Sequence, residues 1–224
     1  MKLRVSNAYL ILADRPILVD TGSPGECETI RSTLRALNVA FGDLSLIVHT
    51  HVHSDHMGNT AEIATAAKCS IAYHHADQPI VDRSHNGRLN GVGLRGQVMS
   101  RFFSNAEFES VTSDIDLQDG MSLNAFCANV AVIETPGHTP GSISIVTPDG
   151  DAIIGDIIMG GYMGGNVLRK KPNYHYFADN IDQSMESLDL VLSRTNRLLY
   201  VGHGGPLEHT SVHAWRRKRM GKSK

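Results

Sequence analysis

The sequence has 224 residues, of which 41% are hydrophobic and 20% are charged, and its formal net charge is −2. A chain of this length can bury a sizeable core, and we interpret residues 1–224 as a single domain. The charge argues against a general attraction to nucleic acid, and the lack of a long apolar run argues against a membrane-spanning helix. Because the N-terminus carries no cleavable signal pattern, we expect a cytoplasmic protein; the sequence is silent on oligomeric state.

The first part of the chain alternates predicted strands with predicted helices, which is typical of α/β layering. Ser23 is the predicted N-cap of the first helix, with Pro24 at its first position and Glu26 completing a capping box. The predicted strands lie at Ala8–Leu12, Pro16–Val19, Leu44–His49 and Cys69–His74, and a second helix is predicted from Gly58 to Lys68.

A histidine-rich motif directly follows the strand that ends at His49. Residues 50–58 read THVHSDHMG, so that His51, His53, Asp55 and His56 lie within six positions. These side chains cannot share one helix face, but on a turn that leaves a strand their ends can converge. Neutral imidazoles and carboxylates are zinc-type ligands. The motif therefore predicts a metal site.

The stretch from Ala76 to Ala106 carries four glycines and four arginines without a sustained apolar period. We interpret residues 76–106 as a partly helical lid or insertion. Two interpretations stay open for it, a wall of a substrate pocket and a solvated connector.

The second half reads as β-rich, and three further ligand candidates lie at predicted strand ends. His138 is in the segment TPGHTPG, Asp156 ends the next strand, and His203 follows the last one. The predicted strands lie at Val130–Glu134, Ser142–Val146, Ala152–Ile154 and Leu198–Val201, and a helix is predicted at Ile181–Leu192. Residues 160–165 are predicted to be flexible, and residues 215–224 to form a basic, solvated tail.

These motifs together resemble those of the metallo-β-lactamase-fold hydrolase superfamily, especially its dinuclear glyoxalase II and N-acyl homoserine lactonase members. The segments that carry the resemblance are NAYLI, ILVDTG, THVHSDHMGN, TPGHTPGSISI, the Gly155-Asp156 pair and YVGHGG. The resemblance implies a four-layer αββα sandwich with metals at the sheet edges. The strands and helices predicted above are compatible with this architecture, which only the resemblance supplies.

The resemblance implies two divalent metal ions. One would be held by His51, His53 and His138 and the other by Asp55, His56 and His203, with Asp156 bridging them. Zinc is the default from the ligand types, and iron and manganese accept the same ligands. The other seven histidines are interpreted as structural, with His74 and His75 as candidate contacts near the pocket.

The implied chemistry is hydrolysis by attack of a metal-bound hydroxide. We expect Asp55 to orient the hydroxide in addition to ligating, which makes it the catalytic candidate, and Asp20 to support the ligand loop. A tyrosine after the bridging aspartate assists the substrate carbonyl in the lactonases. Tyr162, Tyr174 and Tyr176 are the candidates for that contact here.

The fold alone does not settle the substrate. True metallo-β-lactamases lack the bridging aspartate, and the 21 residues after His203 leave no room for the C-terminal helical domain of glyoxalase II. We expect a small-molecule thioester or lactone, with β-lactam hydrolysis at most a side activity. Three alternatives stay open: a phosphodiesterase, a mononuclear iron dioxygenase of the persulfide-oxidising kind, and a non-catalytic binding protein.

Overall fold

The computed structural model describes residues 1–126 and 128–220. No helix within this part of the chain combines the length and the apolar character needed to cross a bilayer. The strands are β1 (Tyr9–Ile11), β2 (Ile17–Val19), β3 (Leu46–Val48), β4 (Ser70–Tyr73), β5 (Ile115–Asp116), β6 (Ala131–Glu134), β7 (Ile143–Val146), β8 (Ala152–Gly155), β9 (Ile158–Tyr162), β10 (Val167–Tyr174), β11 (Leu198–Val201) and β12 (Leu207–Glu208). The helices are α1 (Cys27–Ala36), α2 (Ser54–Met57), α3 (Thr60–Ala67), α4 (Gln78–Arg83), α5 (Gly93–Phe103), α6 (Ile181–Arg194) and α7 (His209–Met220).

Two five-stranded sheets form the centre of the fold. The first has the order β1-β2-β3-β4-β5 and is parallel from β2 onward, while the second has the order β12-β11-β8-β7-β6. Within the second sheet β8 and β11 are parallel and the other neighbours are antiparallel. The predicted strands of both halves are therefore present: six have shorter bounds, β11 has the predicted bounds, and β8 extends one residue further, to Gly155.

The side chains of β2 show why the layers stack as they do. Ile17 and Val19 pack into the core between the two sheets, whereas Leu18 packs into a second core with Ile30 and Leu34 of α1. Successive strand residues point to opposite faces, so an apolar run such as this one buries both faces of its sheet. Helices α6 and α7 cover the outer face of the second sheet in the same way. The predicted αββα sandwich is confirmed.

The start of α1 differs from the prediction. The helix begins at Cys27, and the Glu26 carboxylate accepts hydrogen bonds from the backbone N–H groups of Ser23 (2.8 Å) and Arg4 (2.7 Å). Gly25 has φ +81°, so the chain makes a turn where a helical first turn was expected. The capping-box pattern thus stabilises a turn that ties the N-terminal segment to α1.

The basic C-terminal segment is also more ordered than predicted. Residues through Met220 continue α7, and Trp215 is only 8% exposed because its ring packs against Tyr174, with centroids 5.0 Å apart. The guanidinium of Arg219 lies 4.0 Å from the Trp215 ring centroid. Residues 221–224 lie outside the described residues.

Candidate metal centre

The seven predicted ligands converge at one edge of the two sheets. The turn after β3 carries His51 and His53, and α2 begins at Ser54 and presents the next two ligands. The remaining three lie in the β6–β7 loop, directly after β8 and shortly after β11. Because parallel strands end at the same edge of a sheet, ligands far apart in the chain meet there. The structure thus places together His51, His53, Asp55, His56, His138, Asp156 and His203.

Two groups of side chains could each hold a metal ion. In the first, His53 Nδ1 lies 3.1 Å from His138 Nε2, and the His51 ring centroid lies 4.5 Å from that of His138. In the second, Asp55 Oδ2 lies 3.3 Å from His203 Nε2 and 3.9 Å from His56 Nε2. The donor atoms within each group lie within 4.8 Å of one another.

Asp156 lies between the two groups. Its Oδ2 atom is 3.8 Å from His51 Nε2 and 3.6 Å from His138 Nε2 in the first group. The same atom is 3.5 Å from His56 Nε2 and 3.2 Å from His203 Nε2 in the second. One carboxylate therefore faces nitrogen donors of both groups, which is the position expected of a bridging ligand.

Several of these atoms lack the partners that buried polar groups normally have. Among the described residues, His51 Nε2, His56 Nε2 and Asp156 Oδ1 are buried without a hydrogen-bond partner. Leaving buried polar atoms unsatisfied costs about 1–3 kcal/mol each. A cation among these nitrogen and oxygen donors would satisfy them, so the residues fit the metals that the motif predicts.

The two groups differ in their electrostatics. Burial lowers the pKa of His53 to about 4 and holds the pKa values of His51 and His138 well below the ordinary value. Burial alone would also lower the pKa of His203, but Asp156 and Asp55 beside it raise that pKa to about 10. The first group is therefore neutral and ready to ligate at neutral pH, whereas the second must release protons when it binds a metal.

Asp20 supports the second group through a contact with the His56 ring. Its Oδ2 atom lies 2.8 Å from His56 Nδ1, and Oδ1 and Oδ2 accept hydrogen bonds from Thr50 N and Thr50 Oγ1, both 2.9 Å long. Burial alone would raise the pKa of Asp20, but His56 and His49 keep it below its ordinary value. Asp20 thus remains an anion that orients the His56 ring, as expected for its supporting role.

Asp77 joins the two loops that carry the first group. Its carboxylate accepts hydrogen bonds from Val52 N (2.9 Å), Thr139 Oγ1 (2.8 Å) and Gly141 N (2.7 Å). Burial raises the pKa of Asp77 to about 6, although these donors oppose the shift.

This raised pKa predicts a pH dependence of stability. Between about pH 4 and 6 the folded chain binds a proton at Asp77 that the unfolded chain has lost, so the free energy of unfolding falls as the pH rises through this window, by about 2–3 kcal/mol. Asp77→Asn lacks this titration. We expect the variant's deficit in unfolding free energy to be larger at pH 4.5 than at pH 7 in urea titrations of metal-free protein; a deficit independent of pH would contradict the assignment.

Gly202 leaves room for the bridging carboxylate. A Cβ atom at this position would overlap Asp156 Oδ1 and lie 2.8 Å from His56 Cε1. We expect Gly202→Ala to displace Asp156 and to reduce hydrolytic activity on the order of 10²-fold, because small misplacements in a site cost about that much. Gly42→Ala is the matched control, since a Cβ there meets no atom within 4 Å. Equal activity of both variants would show that this close approach is unimportant.

A cavity of about 560 Å³ opens onto the cluster. Its polar lining includes Asp55, Asp156 and His203. Its apolar lining, part of which belongs to the 76–106 segment, consists of Val5, Pro24, Leu89, Met99, Phe103, Ala106, Met159, Met163 and Phe177. The structure thus places part of this segment in the pocket wall, the first of the two interpretations left open for it.

The three tyrosines predicted as candidate substrate contacts have different surroundings in the structure. Tyr176 lines the cavity, and its hydroxyl accepts a hydrogen bond from Met163 N at 2.8 Å. Tyr174 packs against Trp215, and Tyr162 lies under the guanidinium of Arg95, 5.2 Å from ring centroid to Cζ.

The histidines interpreted as structural include one that belongs to the site. His74 and His75 stack on each other and face Glu134 and Asp116, and neither lines the cavity. His175, by contrast, is 6% exposed, lines the cavity and places Nε2 at 3.2 Å from Asp156 Oδ2. Sequence reasoning missed it because the segment before it was interpreted as flexible rather than as the β9–β10 hairpin.

Comparisons with known proteins agree with this site. The family model described as the metallo-beta-lactamase superfamily matches residues 1–203. The chain is 25% identical to the "Probable metallo-hydrolase YflN" of Bacillus subtilis, over 92% of this chain and 83% of that protein. It is 28% identical to the "Probable metallo-hydrolase MJ0888" of Methanocaldococcus jannaschii, over 89% of this chain and 87% of that protein.

A solved structure shows the same fold. TTHA1623, determined in a di-iron-bound form, superposes with a TM-score of 0.64 at 22% identity and covers 93% of this chain and 92% of its own. The family match over residues 1–203 and the relatives named as metallo-hydrolases confirm the family that the motifs resemble. The chain therefore belongs to the metallo-beta-lactamase superfamily and is a metal-dependent hydrolase.

Proposed function

We propose that the chain is a dinuclear hydrolase that cleaves a carboxylic ester-like bond, a thioester or a lactone, in a small molecule with an apolar acyl group. The observation that carries the proposal is the mixed lining of the cavity. Asp55, Asp156 and His203 of the ligand cluster line it together with apolar side chains such as Leu89, Met99 and Phe103, which form an apolar wall. An acyl chain packed on this wall would leave its carbonyl free to face the cluster.

The donor sets suit two divalent cations. His51, His53 and His138 would hold one, Asp55, His56 and His203 would hold the other, and Asp156 would bridge them. When bound, such cations lower the pKa of a coordinated water and polarise a carbonyl oxygen. Zinc, iron and manganese all accept these donors, and the di-iron form of TTHA1623 supports iron as an alternative to zinc.

We expect Asp55 to orient the water molecule that attacks the substrate carbonyl. Its side chain is 23% exposed, more than that of Asp156, and it lines the cavity. Burial alone would raise the pKa of Asp55, but His56 and His203 keep it well below its ordinary value, so the group is an anion. It can therefore accept a hydrogen bond from the attacking water and orient it toward the carbonyl.

The charge of the cavity favours a carbonyl substrate over a phosphodiester. Among the described residues that line the cavity, Arg4 is the only arginine or lysine. Its guanidinium already donates to Pro24 O at 2.9 Å and lies 3.5 Å from Glu26 Oε1. Apart from the proposed metals, the negative charge of a phosphodiester would thus meet one engaged cation beside apolar side chains, where burying charge is costly.

The test is a substrate series on metal-loaded protein. Acyl thioesters and lactones of increasing chain length should be hydrolysed, and kcat/KM should rise about fourfold per methylene until the wall is covered, since each buried methylene contributes about 0.8 kcal/mol. Metal-stripped protein, before and after reloading, is the control. Turnover of bis(p-nitrophenyl) phosphate alone would contradict the proposal. Oxygen consumption with a glutathione persulfide and no hydrolysis would replace it with the dioxygenase alternative.

A further inference from the structure

A sixth histidine reaches the ligand cluster from the β9–β10 hairpin. The two strands are antiparallel, and Tyr174 pairs with Ile158. The next residue, His175, therefore emerges beside the end of β8, where Asp156 lies. Its side chain is buried, and its ring centroid is 4.7 Å from that of His138 and 5.1 Å from that of His203.

The orientation of His175 matches that of the ligand histidines around it. His138 and His203 each donate from Nδ1 to a backbone carbonyl, Phe177 O and Val5 O, at 2.9 Å, and turn Nε2 toward Asp156. His175 Nδ1 lies 3.1 Å from the same Phe177 O, and its Nε2 lies 3.2 Å from Asp156 Oδ2, the distance also found for His203. A backbone carbonyl on one ring nitrogen is the usual way to fix a metal-ligating histidine.

For a neutral imidazole, a purely structural role would require His175 to donate from Nε2 to Asp156 while Nδ1 accepts from Phe177 N, which is 3.2 Å away. This arrangement is crowded. With His175, five imidazole nitrogens lie 3.2–3.8 Å from the same carboxylate oxygen, and that oxygen offers only two lone pairs. Most of these nitrogens must therefore face something other than the carboxylate, and a cation among them meets that need.

We propose that His175 is a further metal ligand, bound through Nε2 to the metal that His51, His53 and His138 hold. The donor atoms of His138, Asp156 and His175 lie within 4.8 Å of one another, which places His175 on this side of the cluster. The inference rests on the dinuclear centre of the proposed function but not on its substrate, because it concerns the metal centre and not the bond that is cleaved.

Ligation by His175 makes the two metal positions unequal. The first would have four imidazoles and the Asp156 carboxylate, whereas the second would have two imidazoles, Asp55 and the same bridging carboxylate. Five protein donors exceed the four that zinc usually takes, and the imidazole-rich set suits a five- or six-coordinate ion such as iron, cobalt or nickel. The first equivalent of metal is thus expected to bind more tightly than the second.

Cobalt is the probe that tests this, since its visible spectrum reports coordination number without any substrate. Metal-stripped protein is titrated with Co²⁺, and the first equivalent is compared between wild type, His175→Phe and His175→Ala. Both variants should change the ligand-field spectrum and weaken the first equivalent by at least about tenfold. Added imidazole should restore the wild-type spectrum in His175→Ala. Tyr176→Phe, in the same loop and cavity, is the matched control and should leave the spectrum unchanged.

An unchanged spectrum and affinity in both His175 variants would overturn the proposal, whatever their hydrolytic activity. A second measurement needs no variant and so does not depend on a substitution that folds. Each histidine bound to paramagnetic Co²⁺ keeps one ring N–H, which gives an exchangeable, strongly shifted proton resonance. Wild-type protein with two Co²⁺ ions should show six such resonances, and five would overturn the assignment of His175.

Discussion

Asp156→Asn is expected to reduce the metal content from two ions per chain to at most one, and hydrolysis by about 10³-fold or more. The carboxylate lies within 3.8 Å of donors from both groups, and the amide removes its charge and one of its two ligand oxygens. Lewis-acid stabilisation contributes several kcal/mol, and each 1.36 kcal/mol is a factor of ten in rate.

The measurement pairs elemental analysis with initial rates on the best substrate of the acyl series. Asp189→Asn is the control, because its carboxylate pairs with Arg216 and lies outside the ligand cluster. If Asp156→Asn kept two metals and rates within tenfold of wild type, the bridging role would be wrong.

Asp20→Asn is expected to act on metal retention rather than on the chemical step. Asp20 has φ +60°, a left-handed conformation that asparagine also tolerates, so the backbone should be preserved. The amide, however, loses the charge that orients His56, and such supporting contacts contribute about 10- to 100-fold in metal affinity. In the fully loaded enzyme, kcat should change only a few-fold.

Competition with a chromophoric chelator gives the affinity, and rates at saturating metal give kcat. The control is Asp43→Asn, whose carboxylate accepts a hydrogen bond from Ala40 N at the surface. Unaltered affinity together with a large loss of kcat would assign Asp20 to the chemistry instead of to support.

The sequence was sufficient to predict that the seven candidate ligands converge, because each lies in a short motif after an apolar strand and matches a motif of the family that the chain resembles. Strand ends are local features, and the sheet order then brings them together without further information. The αββα layering came from the family resemblance, and runs such as Ile17–Val19, which bury both faces, are compatible with it.

His175 was missed because its position depends on a register rather than on a local pattern. Gly160 to Gly165 reads as flexible, and nothing in the segment KPNYHYF marks β10 as a strand. His175 comes close to Asp156 only because β10 pairs with β9 in a register that places Tyr174 opposite Ile158.

The start of α1 was misplaced for a similar reason. The Glu26 carboxylate accepts a hydrogen bond from Arg4 N, and the backbone N–H of Glu26 donates to Asn59 Oδ1. Both partners lie far from Glu26 in the sequence. These tertiary hydrogen bonds outweigh the local preference for a capping box.

The metal content of the protein, purified without chelators and measured by elemental analysis, tests the central claim most directly. The seven convergent donors, with Asp156 between two groups, predict two divalent ions per chain. A fully loaded protein that holds a single ion per chain would contradict the dinuclear account.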